Sequence, residues 1–283
     1  MKNFIVPIDF SRESFNGLEL AILFSQYKSV NIQMVYVITS FTDYHPSTVN
    51  DEHKFADERF KKLIAAVEPR LGNDSKIRYI IKQGKVYREV VNQVNSYKNA
   101  VVSASTHGAS GFEELFVGSN ALKIMSATDK PVFTIRKSPI PAKIKTIILP
   151  IKLHPDTRQK VPIAAEVAKL YGAKVHVLAI SSSKNKRDIQ RLESYSKQSI
   201  GYLNSIKVEH VYHRVTGDHL PQLTINYAEA VEADLIVTMS SAINKWNVFL
   251  GSYAQQMLNK SKLPLLAIKP RPKQLPTGFR TLG

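Results

Sequence analysis

The sequence predicts an α/β protein made of two doubly wound, Rossmann-like parallel-sheet domains in tandem. Three observations carry the prediction. Short β-rich runs alternate with longer stretches of helical periodicity. The pattern of the first half returns in the second. A glycine-bearing stretch in the first half follows a strand and closes onto a helical pattern.

In the first half, Phe4–Ile8, Ile32–Ile38, Ile77–Ile81, Ala100–Ala104 and Val132–Ile135 read as strands. Between them Ser14–Gln26, Phe55–Val67 and Val86–Val94 carry apolar residues near helical spacing, with Val86, Val90 and Val94 on one face. Ser11, where the first strand gives way to a helix, is the expected N-cap. Ser40–Lys54 reads as a polar surface loop.

The second half answers in order. FIVPID, Phe4–Asp9, pairs with IILPIK, Ile147–Lys152. Ile32–Ile38 pairs with Val175–Ile180, Gly84 with Gly217, Gly118-Ser119 with Gly251-Ser252, and Pro131 with Pro264. The Ser40–Lys54 segment has only a short counterpart, Ser181–Arg187. The proline-bearing stretch Ser138–Lys143 is the expected linker, giving domains over 1–140 and 144–270 and a tail over 271–283.

Composition narrows the function. With 43% hydrophobic and 22% charged residues, the chain has material for two cores. It has no cysteine, which excludes disulfides, thiolate metal sites and cysteine nucleophiles and suits a reducing cytoplasm. No apolar run is long enough for a membrane span, and the start turns charged too soon for a signal peptide. The net charge of +16 is lopsided: residues 1–140 carry 18 basic and 14 acidic side chains, residues 141–283 carry 21 and 9. A basic second half attracts an acidic partner in principle, but its lysines are scattered and no nucleic-acid reader motif is present.

The chemistry-bearing stretch is Val102–Ala121, with Ser105, two residues, Gly108, nine residues, then Gly118-Ser119 and Asn120. A loop of this kind presents backbone N–H groups at a helix N-terminus to a phosphate; it is also the pattern of a plain turn and helix cap. Together with PIDFS (Pro7–Ser11), VYVI (Val35–Ile38) and the closing KPVFTIRK, this spacing resembles the universal stress protein family over nearly the whole chain. The resemblance implies five-stranded sheets of order 3-2-1-4-5 with an adenine nucleotide, ATP or AMP, across the carboxyl ends of strands one and four. It implies that Pro7, Ile8, Asp9 and the Val37 backbone surround the base. Ala104, Ser105, Gly108, Gly118, Ser119 and Asn120 would surround the ribose and phosphates. It leaves magnesium open, and leaves open whether the repeats pair within one chain or the protein forms a homodimer.

This chain departs from the family pattern at Ser105, where the motif has glycine; the added Cβ either hinders the ribose or supplies a hydroxyl contact. The second half departs further, aligning Thr238 and Ser241 with the leading glycines and Lys152 with Asp9. Lys152 either attracts a phosphate or fills the pocket. The expected function is therefore a cytoplasmic stress-response regulator that binds nucleotide in its first domain. The alternative is a nucleotide-free scaffold acting through the basic second domain. Catalysis is at most a weak ATPase, since no P-loop, G-x-S-x-G elbow or catalytic base is evident. His107, Glu113, Glu114 and Trp246 read as surface or packing residues. Asp43, His45, Asp51 and His53 lack a recognised metal-ligand spacing.

Overall fold

The computed structural model describes residues 1–39, 46–72, 74–106, 119–136, 140–240, 242–243, 249–250 and 252–271. The first half runs β1 (Asn3–Pro7), α1 (Phe15–Ser25), β2 (Asn31–Ile38), α2 (Pro46–Val67), β3 (Lys76–Gln83), α3 (Val86–Asn95), β4 (Ala100–Ser105), α4 (Ser119–Ala127) and β5 (Val132–Ile135). The second runs β6 (Thr146–Ile151), α5 (Val161–Tyr171), β7 (Lys174–Ser181), α6 (Lys186–Ser205), β8 (His210–Thr216), α7 (Leu220–Ala230) and β9 (Leu235–Met239). A two-stranded ribbon follows, β10 (Ala242–Ile243) with β11 (Phe249–Leu250), then α8 (Ser252–Lys260) and β12 (Leu265–Ile268).

Each half forms the expected 3-2-1-4-5 sheet, and the two merge into one sheet of order β3-β2-β1-β4-β5-β12-β9-β6-β7-β8. Within each half the pairings of this sheet are parallel, as strand–helix–strand crossovers require. The junction is antiparallel, with Leu265 opposite Thr134, Leu266 opposite Phe133 and Ala267 opposite Val132. The repeats therefore pair within one chain.

Burial explains the join. One core, on the α1 and α5 side of the sheet, takes Phe4, Phe24 and Phe133 together with Ile147, Val175 and Tyr171. The other takes Val102, Ile124 and Met125 together with Ile236, Met257 and Leu265. Each core contains residues of both halves. Between the helices, Tyr171 meets Phe24 edge-on at 5.3 Å and Tyr27 at 4.4 Å, while the N-terminal amine reaches Glu166 at 2.6 Å. Fully burying Phe24 contributes about 2–3 kcal/mol.

Two local expectations are corrected. The helix expected from Phe55 begins at Pro46, so Asp51 and His53 lie on α2 and not in a polar loop. What holds that first part is tertiary: Glu52 accepts a hydrogen bond from the Tyr36 hydroxyl at 2.8 Å. Ser11 does not cap α1, which begins at Phe15. The Ser11 hydroxyl accepts from the Ser14 N–H at 3.2 Å in the turn ahead of α1, and donates back to the Asp9 carboxylate at 2.5 Å.

Candidate functional site

In each half the crossovers diverge between the first and fourth strands, opening a crevice beyond their carboxyl ends. In the first half Ile5 lies opposite Val102 and Pro7 opposite Val35. Continuing those registers sets Asp9 beside Val37 and Pro7 beside Ala104. The Ile8 N–H donates to the Val35 carbonyl at 2.9 Å, which keeps the chain on that path past the end of β1. Ile8 and Ala104 are each 3% exposed, Ser105 and Val37 are half-buried, and Asp9 is exposed. Asn120 is exposed in the first turn of α4, which Ser119 opens.

Six of the sequence-predicted residues thus meet at one sheet end: Pro7, Ile8, Asp9, Val37, Ala104 and Ser105. Gly108 and Gly118 lie outside the described residues, as do His107, Glu113, Glu114, Asp43, His45 and Trp246. Among the described residues, no group of three or more His, Asp or Glu is arranged to hold a metal.

The carboxylate of Asp9 is held in a local turn. Oδ1 accepts from the Ser11 N–H at 3.0 Å as well as from its hydroxyl. The intervening Phe10 has φ of 61°, in the left-handed region that a non-glycine residue enters at a cost of about 1–2 kcal/mol. Packing offsets that cost. Phe10 lies 4.8 Å from Phe60 and 5.3 Å from Tyr36, and the Arg59 guanidinium stands 5.0 Å from both the Phe10 and Phe55 rings. Burial, then the bond to Glu52, raises the Tyr36 hydroxyl to about 12, with the nearby charge of Asp9 adding to the shift.

Sequence reasoning missed this rim of Phe10, Tyr36, Glu52, Phe55 and Arg59. Glu52, Phe55 and Arg59 do fall at i, i+3 and i+7, a helical face readable from the sequence once the helix is extended to Pro46.

The second crevice is built differently. Without a carboxylate at position 152, the turn closes through backbone: the His154 N–H donates to the Lys152 carbonyl at 2.7 Å. The Lys152 N–H donates to Thr157 Oγ1 at 3.0 Å, and the Lys152 ammonium lies 3.8 Å above the Tyr253 ring in the first turn of α8. Tyr253 is 8% exposed. Because Thr224 gives its proton to the Leu220 carbonyl, the Tyr253 hydroxyl must donate to Thr224, 2.8 Å away. Burial pushes the Lys152 amine down to about 8.

The strand registers also move the alignment. Ser105 pairs with Ile135 as Met239 pairs with Ile268, so Met239 and not Thr238 is the counterpart of Ser105. The second motif loop is one residue shorter than the first.

Fold and crevices together define a tandem α/β protein with one acidic and one basic switch point. The chain belongs to the universal stress protein family, whose model matches residues 1–136 and 143–269. Among solved structures it is similar to a universal stress protein from Archaeoglobus fulgidus, 18% identical, with TM-score 0.74 over 95% of this chain and 96% of that one. It is also similar to a putative universal stress protein from Pseudomonas aeruginosa, 14% identical, with TM-score 0.65 over 95% and 94% of the two chains. A functionally unknown protein from Pseudomonas aeruginosa is 12% identical, with TM-score 0.65 over 95% and 93%. At such identities these likenesses establish the fold. No individually curated protein sequence matches the chain. No helix among the described residues is long and apolar enough to cross a membrane.

Proposed function

We propose that this protein is a stress-response regulator whose first domain binds an adenine nucleotide, ATP or AMP, and whose second crevice does not accept the base. The observation that carries the reading is the contrast at one position. Asp9 offers an exposed carboxylate, oriented by Ser11, where Lys152 lies folded over Tyr253. A carboxylate accepts from an exocyclic amine; an ammonium only donates. Pro7, Ile8, Asp9 and Val37 would line the base. Ala104, Ser105, Gly108, Gly118, Ser119 and Asn120 would surround ribose and phosphates, with α4 directing its N-terminal N–H groups toward them. Binding would act by favouring the conformation or partner surface that fits the bound state.

Isothermal titration with adenosine, AMP and ATP, with and without magnesium, tests this. One site per chain that responds to adenosine and is lost in Gly118→Val supports it. No heat or stabilisation with any of the three at millimolar concentration would overturn it and leave the scaffold alternative.

A further inference from the structure

We propose that Lys152 and Lys160 form an anion site in the second domain that takes a phosphate group, either free or carried by a small phosphomonoester. Lys160 ends the short 3₁₀ segment Pro155–Lys160 that leads into α5, and it is 1% exposed. Its Nζ donates to the Thr157 carbonyl at 3.0 Å and to Thr157 Oγ1 at 3.1 Å. Those two acceptors suit the neutral amine; once protonated, Lys160 has a third N–H with no acceptor among the described residues, which an anion would supply. The Thr157 hydroxyl also accepts from the Lys152 N–H, which ties the two lysines to one oxygen.

The first repeat has no lysine at either place. Pro7 precedes Asn31 by as many residues as Pro150 precedes Lys174, so Gly17 is the counterpart of Lys160. Gly17 lets α1 lie against β4: a Cβ there would stand 2.4 Å from the Ser103 carbonyl oxygen. The second domain has a lysine at that place and a 3₁₀ segment where α1 has its first turn. It thus has two lysines at one crevice, Lys152 and Lys160, where the first domain has Asp9 and Gly17.

The Asp156 carboxylate, on the same 3₁₀ segment, is engaged elsewhere: it faces His154 and Gln159. Neither lysine has an acidic partner among the described residues. Charging the buried Lys160 beside the half-buried Lys152 without a counter-charge is costly, and the cation–π contact with Tyr253 offsets only part of that for Lys152. A single carboxylate would balance one amine. A phosphate group, with about −1.5 to −2 charges at neutral pH and three acceptor oxygens, balances both. The start of α8, one residue before Tyr253, adds N–H donors on the same side. With Tyr253 and Lys152 occupying the place of a base, the recognised part is the phosphate alone.

Equilibrium dialysis of the full chain against radiolabelled inorganic phosphate, at pH 7 and constant chloride ionic strength, tests the site. Saturable binding of one phosphate per chain is expected. Lys152→Met and Lys160→Met should each weaken it by about tenfold or more, with Asp9→Ala unchanged. Displacement by glycerol phosphate would identify an ester as the ligand, and its failure to displace would identify free phosphate. Absence of saturable binding of both to the natural chain overturns the proposal, as does undiminished binding in the methionine variants. If a methionine variant does not fold, Lys152→Gln carries the same comparison. Adenosine binding is a separate readout, so failure here leaves the first-domain reading standing.

Discussion

Lys152 and Tyr253 are stacked, the ammonium 3.8 Å above the ring, where the first domain has the exposed Asp9. This contact joins the end of β6 to the first turn of α8 across the second switch point. It sets a cation where the first domain has a carboxylate. Repeats of common architecture differ here, because the sheet does not depend on which side chain lies beyond a strand end.

Asp9→Ala should weaken adenosine binding by about tenfold, the size expected for loss of a charge-assisted hydrogen bond. Lys152→Ala should leave it within twofold (roughly 0.4 kcal/mol). Titration calorimetry on both variants checks the asymmetry. Equal losses would mean that the base does not sit at the end of β1.

Stability should rise with pH between about 7 and 9.5 in phosphate-free buffer. Burial lowers Lys152 to about 8 and, with Lys152 nearby, lowers Lys160 well below its ordinary range. In that interval the unfolded chain holds protons that the folded chain has released, so raising the pH favours the fold. Below the folded values both states are protonated and the full cost of burying the charges is felt. At the alkaline limit Tyr36, raised to about 12, acts in the opposite sense and ends the rise. Urea denaturation across this range should give a flatter profile for Lys160→Met, with a higher midpoint than the natural chain at pH 7.

Gly17→Ala should destabilise the protein by about 2–3 kcal/mol, because the new Cβ would meet the Ser103 carbonyl at 2.4 Å and force α1 off β4. The bond from Ser103 Oγ to the Gly17 carbonyl at 2.8 Å would be strained with it. Lys160→Ala at the matching position adds no atom and should show no such clash. Chemical denaturation of the two variants side by side distinguishes close packing from a general need for glycine.

Tyr171→Phe should stabilise by about 1 kcal/mol. The Tyr171 hydroxyl is buried without a hydrogen-bond partner among the described residues, while its ring is packed on Phe24 and Tyr27. Removing the oxygen keeps the ring contact between α1 and α5. A thermal midpoint that falls would show that the hydroxyl has a partner, such as an ordered water, in solution.

The sequence by itself determined the α/β class, the tandem repeat and the place of the crevices. Period-two and helical apolar patterns are local, and Phe4–Ile8 and Ile147–Ile151 announce the same strand twice. It also showed that Asp9 and Lys152 oppose each other in charge, since both stand at a fixed distance from a recognisable strand. Only the tertiary structure decided that β5 and β12 would join the halves into one sheet, because strand edges carry no local signal of their partner. It alone showed that α2 starts at Pro46, where Tyr36 stabilises residues whose own pattern is polar. And it alone brought Lys160 to Lys152: eight positions apart along the chain, they meet at Thr157 because a turn and a 3₁₀ segment fold one back over the other.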